Sequence, residues 1–95
     1  MTTKTEIAER VKGMLVDDLF LADTAEEIGD DAELGTELGM DSVGFVELAT
    51  IVGEVFEISV SDTDIGQGHF ATVRSLTDFI HARLAEKAAP TAVSA

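Results

Sequence analysis

The segment Leu38-Gly39-Met40-Asp41-Ser42-Val43 constrains this chain more than any other. A small-residue turn ends there, an acid and a hydroxyl follow, and an apolar run of helical period begins at once. Asp is a favoured N-cap because its carboxylate accepts a hydrogen bond from an amide of the first helical turn. The spacing predicts a helix over 42–57. At about 100° per residue, Phe45, Leu48, Ala49, Val52 and Phe56 share one face, which requires a core. Val43, Glu47, Thr50 and Glu54 lie opposite, with Val46 and Ile51 between the two faces. Any fold must therefore bury one side of this helix and leave Ser42 at an edge.

Two further stretches have the same period. Ile7, Val11, Met14, Leu15 and Leu19 predict an amphipathic helix over 4–19, weakened at Gly13 and opposed at its end by Asp17-Asp18, which meet the negative pole of the helix dipole. Val73, Leu76, Ile80 and Leu84, flanked by Phe79, predict a last helix from a Thr72 cap to about Glu86. The remaining segments join these three. Residues 20–41 read as a long connection anchored by Ile28, Leu34 and Leu38, with one helical turn near Thr24–Ile28. Residues 58–71 read as a connector in which Asp64–Phe70 holds a short helix or turns, broken by Gly66-Gln67-Gly68. Phe56–Val60 alternates weakly, and no segment reads convincingly as a strand. The expectation is an all-α domain over 1–87 with a flexible tail over 88–95.

Ninety-five residues bury a thin core, about 60–65% of the unfolded surface, which is little for a deep catalytic pocket. The absence of Cys excludes a disulfide framework, a thiolate nucleophile and sulfur-ligated zinc. The first residues lack a following apolar region and no run is long enough to span a bilayer, so the chain is expected to be soluble and cytoplasmic. The net charge is −13, from nineteen acids and six bases. Its distribution is sharper still: between Gly13 and Val73 there are fifteen acids and no Lys or Arg. Such a surface repels nucleic acid and anionic lipid and attracts basic protein patches.

Catalysis by Ser42 would need a base and an oxyanion hole. The two histidines, His69 and His81, are not tied to it by sequence, and no Gly-x-Ser-x-Gly elbow surrounds it. Asp62-x-Asp64-x-Gly66 fails as a calcium loop, since counting from Asp62 puts Gln67 at position 6 and Val73 at position 12, where Gly and Glu are needed. Neither catalytic nor metal-ligating residues are expected. Two readings of Ser42 remain: a residue that merely accompanies the cap, or a covalent handle. A phosphodiester on Ser42 would lie at a helix N-terminus, where backbone amides and the dipole favour an anion.

Leu38-Gly39-Met40-Asp41-Ser42-Val43-Gly44-Phe45-Val46-Glu47-Leu48 resembles the attachment motif of acyl carrier proteins, whose usual form is Leu-Gly-x-Asp-Ser-Leu before an acidic helix ending in Glu-Leu. The resemblance runs over about residues 5–86. It implies a four-helix bundle with a long first loop and a short third helix, and no catalytic activity. It implies that a phosphopantetheinyl transferase moves 4′-phosphopantetheine from coenzyme A to Ser42, behind the motif residue Asp41. Asp41, Val43, Val46, Glu47 and Glu54 then map onto the face that meets partner enzymes, such as an acyltransferase or ketosynthase with basic patches. Thr50 shares that face by its helical position.

Some residues depart from the pattern. Val43 replaces the usual Leu, Gly44-Phe45 is an uncommon pair, Gly53 interrupts the helix, and Ser61 stands where Pro is frequent. Asp41, where His would suggest a peptidyl carrier, resembles the acyl type. Together these features resemble a discrete, monomeric carrier of polyketide or related specialised metabolism. The alternatives are a fatty-acid carrier, an aminoacyl or aryl carrier, and an acidic helical adaptor without a prosthetic group.

Overall fold

The computed structural model describes residues 3–88, and the fold is all-helical. Helix α1 spans Lys4–Asp17, α2 spans Ser42–Phe56 and α4 spans Val73–Ala88. Between the last two, α3 is one turn, Asp62–Asp64, that continues into a π-helical turn, Ile65–His69. The expected short third helix is therefore present and begins earlier than the glycines suggested, because Ser61 caps it: Ser61 Oγ accepts from the Asp64 amide at 3.2 Å and the Asp64 carboxylate accepts from the Ser61 amide at 2.9 Å. Of the expected tail, residues 89–95 lie outside the described residues, and α4 continues two residues past the expected end.

Each long helix starts where a side chain can satisfy its free amides. Thr3 Oγ1 accepts from the Glu6 amide at 3.2 Å, while the Glu6 carboxylate accepts from the Thr3 amide at 3.1 Å. Thr72 Oγ1 accepts from the Ser75 amide at 3.0 Å at the head of α4. Helix α1 ends at Asp17, two residues earlier than its apolar stripe predicts, with no basic side chain in its last turn. Beyond it Phe20 adopts φ 54°, a left-handed conformation that costs a non-glycine residue about 1–2 kcal/mol. This turn lets the Leu21 amide donate to the Leu15 carbonyl at 2.9 Å, and it packs Leu19 and Leu21 against the core.

The core joins Ile7, Val11, Met14 and Leu15 of α1 to Leu48, Ala49 and Val52 of α2 and Val73, Leu76, Phe79 and Ile80 of α4. Two expected members of the α2 core face, Phe45 and Phe56, are only half-buried, as is Leu84 of α4. Phe70 and Met40, from segments read as connectors, are buried instead. Phe70 is among the largest fully buried side chains, and burying such a ring stabilises by about 1.5–3 kcal/mol.

The long connection is held down by backbone bonds to the start of α4. The Leu34 amide donates to Ala71 C=O at 2.9 Å and the Arg74 amide to Asp30 C=O at 2.7 Å, beside a lone antiparallel bridge between Glu33 and Thr72. Ile28 and Leu34 are buried and Leu38 half-buried, with a 3₁₀ turn at Ala25–Glu27, as the anchor spacing predicts.

All six cations are used within the fold. Lys4 pairs with Asp78, Lys12 with Asp30, Arg74 with Asp31 and Arg83 with Asp64. Arg10 lies over the Phe56 ring and Lys87 donates to Glu57 C=O. The Arg74 guanidinium hydrogen-bonds to Asp31 and lowers its carboxyl pKa. Asp64 is the buried carboxylate of the fold. The Ser61 backbone amide, and next the Ser61 hydroxyl and the charges of Arg83 and His69, hold it below the usual range against the opposing effect of burial. Through Arg83, Asp64 ties α3 to α4.

Candidate functional site at the head of α2

Asp41 caps α2 as the sequence predicts: its Oδ1 accepts from the Gly44 amide at 2.8 Å, and its carbonyl accepts from the Phe45 amide at 3.0 Å. Ser42 is the first helical residue and is exposed. The amides of Ser42 and Val43 precede the first residue that can bond within the helix, so they are available to an incoming anion.

The pair Gly44-Phe45, an oddity in the sequence, has a packing reason. A Cβ at Gly44 would stand 2.5 Å from Met40 Cγ and 3.2 Å from Met40 Sδ. Gly44 thus lets the buried Met40 side chain lie against the first turn of α2, immediately before the Asp41-Ser42 pair. The Phe45 ring lies near Gly35, where an added Cβ would come within 3.6 Å of it, so this ring packs onto the loop and not into the centre of the bundle. Gly53 is explained in the same way: Ile58 C=O comes to 3.2 Å from where its Cβ would be, as the chain turns back through Glu57 in a left-handed conformation.

All of the side chains expected to face partners do face outward. Asp41, Val43, Val46, Glu47, Thr50 and Glu54 are exposed, with Val43 at 63% and Val46 at 54%. Val46, expected between the two faces, therefore belongs to the outer one. The Thr50 hydroxyl donates to Val46 C=O at 3.0 Å, and among the described residues no Lys or Arg pairs with Glu47 or Glu54. His69, the histidine that could have approached α2, stacks on Phe79 of α4 with ring centroids 4.7 Å apart, and His81 is half-buried on α4. Among the described residues no group of His, Asp and Glu is placed to hold a metal ion. None of the described helices is long and apolar enough to cross a membrane.

A family model described as the phosphopantetheine attachment site matches residues 9–80, most of the chain. The chain belongs to this family of carriers. It is similar to an acyl carrier protein of Amoebophilus asiaticus (strain 5a2), 34% identical over 83 residues, covering 87% of this chain and 99% of the relative. An acyl carrier protein of Cyanidium caldarium is 32% identical over 88 residues, 93% of this chain and 98% of the relative. One of Solidesulfovibrio magneticus (strain ATCC 700980 / DSM 13731 / RS-1) is 38% identical over 61 residues, 64% of this chain and 76% of the relative. Membership makes the protein a non-catalytic acyl carrier whose prosthetic group is 4′-phosphopantetheine.

The residues present fit that group. An exposed hydroxyl at a helix N-terminus offers a point of attachment, and the free amides beside it suit a phosphodiester. The Asp41 carboxylate spends one oxygen on the Gly44 amide, which limits its repulsion of a phosphate. When bound, the group supplies the thiol that a chain without cysteine lacks. The sequence reading missed Met40 and Phe20. For Phe20 the available signal was the run Leu19-Phe20-Leu21-Ala22, which continues apolar where the helical stripe ends.

Proposed function

We propose that Ser42 carries the 4′-phosphopantetheine and that acyl groups are tethered to it as thioesters. The observation that carries this reading is the exposed Ser42 hydroxyl on the first residue of a helix whose cap, Asp41, is already satisfied. The outer face of α2, formed by Asp41, Val43, Val46, Glu47, Thr50 and Glu54, docks the phosphopantetheinyl transferase and acyl-processing enzymes that present basic patches. Exposed acids without internal cations attract such patches at long range, and the exposed Val43 and Val46 supply contact once they arrive. The carrier acts as a cytoplasmic monomer, its net charge of −13 opposing self-association.

For the pathway, Val43, Gly44-Phe45 and Gly53 support polyketide or related specialised metabolism over housekeeping fatty-acid synthesis. Val43 and Gly44-Phe45 alter the surface beside Ser42 and the packing beneath it, and Gly53 lets the chain turn back at the other end of α2.

Incubation with a phosphopantetheinyl transferase and coenzyme A should add the mass of one phosphopantetheine to the wild type and none to Ser42→Ala, measured on the intact protein. No gain in the wild type, or an equal gain in the variant, removes the reading. Loading of the holo-protein with malonyl-type, fatty-acyl and aminoacyl donors then separates the pathways.

A further inference from the structure

The most exposed large apolar side chain of the described fold is not on α2. Phe20 is 82% exposed, in the turn after α1, on a left-handed backbone at φ 54°. Glycine or asparagine is the usual occupant of such a turn, because a β-carbon is strained there. The chain therefore accepts both backbone strain and an exposed ring at one position. The turn needs the left-handed backbone but not the ring: its hydrogen bond runs from the Leu21 amide to Leu15 C=O and involves no Phe20 side-chain atom.

Phe20 is also continuous with the head of α2. A shallow groove bordered by Phe20, Leu21, Ala22 and Leu38 adjoins a second bordered by Leu21, Asp41, Val43 and Glu47, with Leu21 common to both. A strip of mixed polar and apolar lining thus runs from the Phe20 ring to the residues that flank Ser42. Its margins are acidic: Asp23, Glu27, Asp41 and Glu47 are all exposed along it, and no Lys or Arg lies in sequence between Gly13 and Val73. An exposed aromatic ring among acidic neighbours complements an apolar pocket with a positive rim.

We propose that Phe20 is the anchor by which the phosphopantetheinyl transferase grips the apo-protein, its ring entering an apolar pocket on the transferase rimmed by Lys or Arg. This rests on Ser42 being the attachment site. Enzymes that act on a carried acyl group dock on the outer face of α2 but do their chemistry at the far end of the arm. The transferase must bring its reacting groups to the Ser42 hydroxyl itself, so its footprint is centred on the head of α2. A footprint of about 800 Å² per partner around that point takes in the adjoining strip. Aromatic side chains are enriched in such interfaces relative to the rest of the surface.

Phe20→Asn removes the ring and puts in a residue that tolerates the left-handed turn, and Phe20→Leu keeps an apolar side chain. Loading of each apo-protein by a purified phosphopantetheinyl transferase with coenzyme A is followed by intact mass, beside the melting temperature. The expected result is a fall in kcat/KM of at least about fivefold for Phe20→Asn, through a raised KM for the carrier. Its melting temperature stays at or above that of the wild type, and Phe20→Leu recovers most of the loss. Loading of Phe20→Asn within about twofold of the wild type overturns the proposal. So does a lowered melting temperature, which would make the ring structural. So does a wild-type dimer in sedimentation that Phe20→Asn abolishes, which would make the occupant a second copy of the chain. A Ser42→Ala variant that still gains the adduct overturns the attachment reading instead, and this proposal with it.

Discussion

Gly44→Ala sets helix propensity against packing at the position closest to the site. By propensity alone, alanine in a helix interior is better than glycine by about 1 kcal/mol. The fold opposes this gain. The new Cβ would lie 2.5 Å from Met40 Cγ, which belongs to the middle of that side chain and not to its free end. Met40 is only 7% exposed, so it cannot swing into solvent without leaving the core. Forcing an extra carbon into such a space costs about 1–3 kcal/mol. The cost exceeds the gain, and the variant should be destabilised by about 1 kcal/mol, which lowers the melting temperature of a domain this size by roughly 4–8 °C.

Urea unfolding followed by circular dichroism at neutral pH measures the change, and a cycle with Met40→Ala assigns its origin. Met40→Ala alone should cost about 2–5 kcal/mol. In the double variant the new Cβ meets no Met40 side chain, so the propensity gain is realised and the two changes couple favourably by about 1–3 kcal/mol. A Gly44→Ala protein at least as stable as the wild type, or a cycle additive within about 0.5 kcal/mol, refutes the packing argument.

Two further outcomes test the electrostatics. Asp64 has a native pKa below its unfolded value, so its stabilisation is complete above the unfolded value near about 3.9 and drains away as the pH falls through the native one. The stability advantage of wild type over Asp64→Asn, from urea unfolding at neutral and acid pH, should therefore shrink below about pH 4, and an advantage independent of pH would contradict it. Glu47→Lys or Glu54→Lys should slow transfer to a basic partner and flatten its dependence on salt, with helicity unchanged; identical rates across a salt series would remove the docking role.

Much of the site was legible because its determinants are local. The Asp41 cap, the start of α2 at Ser42 and the outward direction of Val43, Glu47, Thr50 and Glu54 follow from capping chemistry and helical period, which involve neighbours in sequence. The same holds for the Thr72 cap. Where the reading missed, the cause was non-local. Phe45 and Phe56 lie on the predicted face and are still half-buried, since depth depends on what another segment places above them. Met40 and Phe70, in segments without period, are buried. Gly44, part of an uncommon pair in the sequence, has its reason in Met40, which occupies the space of its missing side chain.

Local chemistry was therefore enough to specify three long helices, the capped serine and an acidic middle without a cation. Each is set by residues within a turn or two of one another, or by composition. Tertiary packing settled the rest. It clasped the long loop to the head of α4 through Leu34 and Arg74, engaged all six cations within the fold, and left Phe20 in solvent on a strained turn beside α2. Burial and close approach depend on residues far apart in the chain, and the period of a single helix carries no information about them.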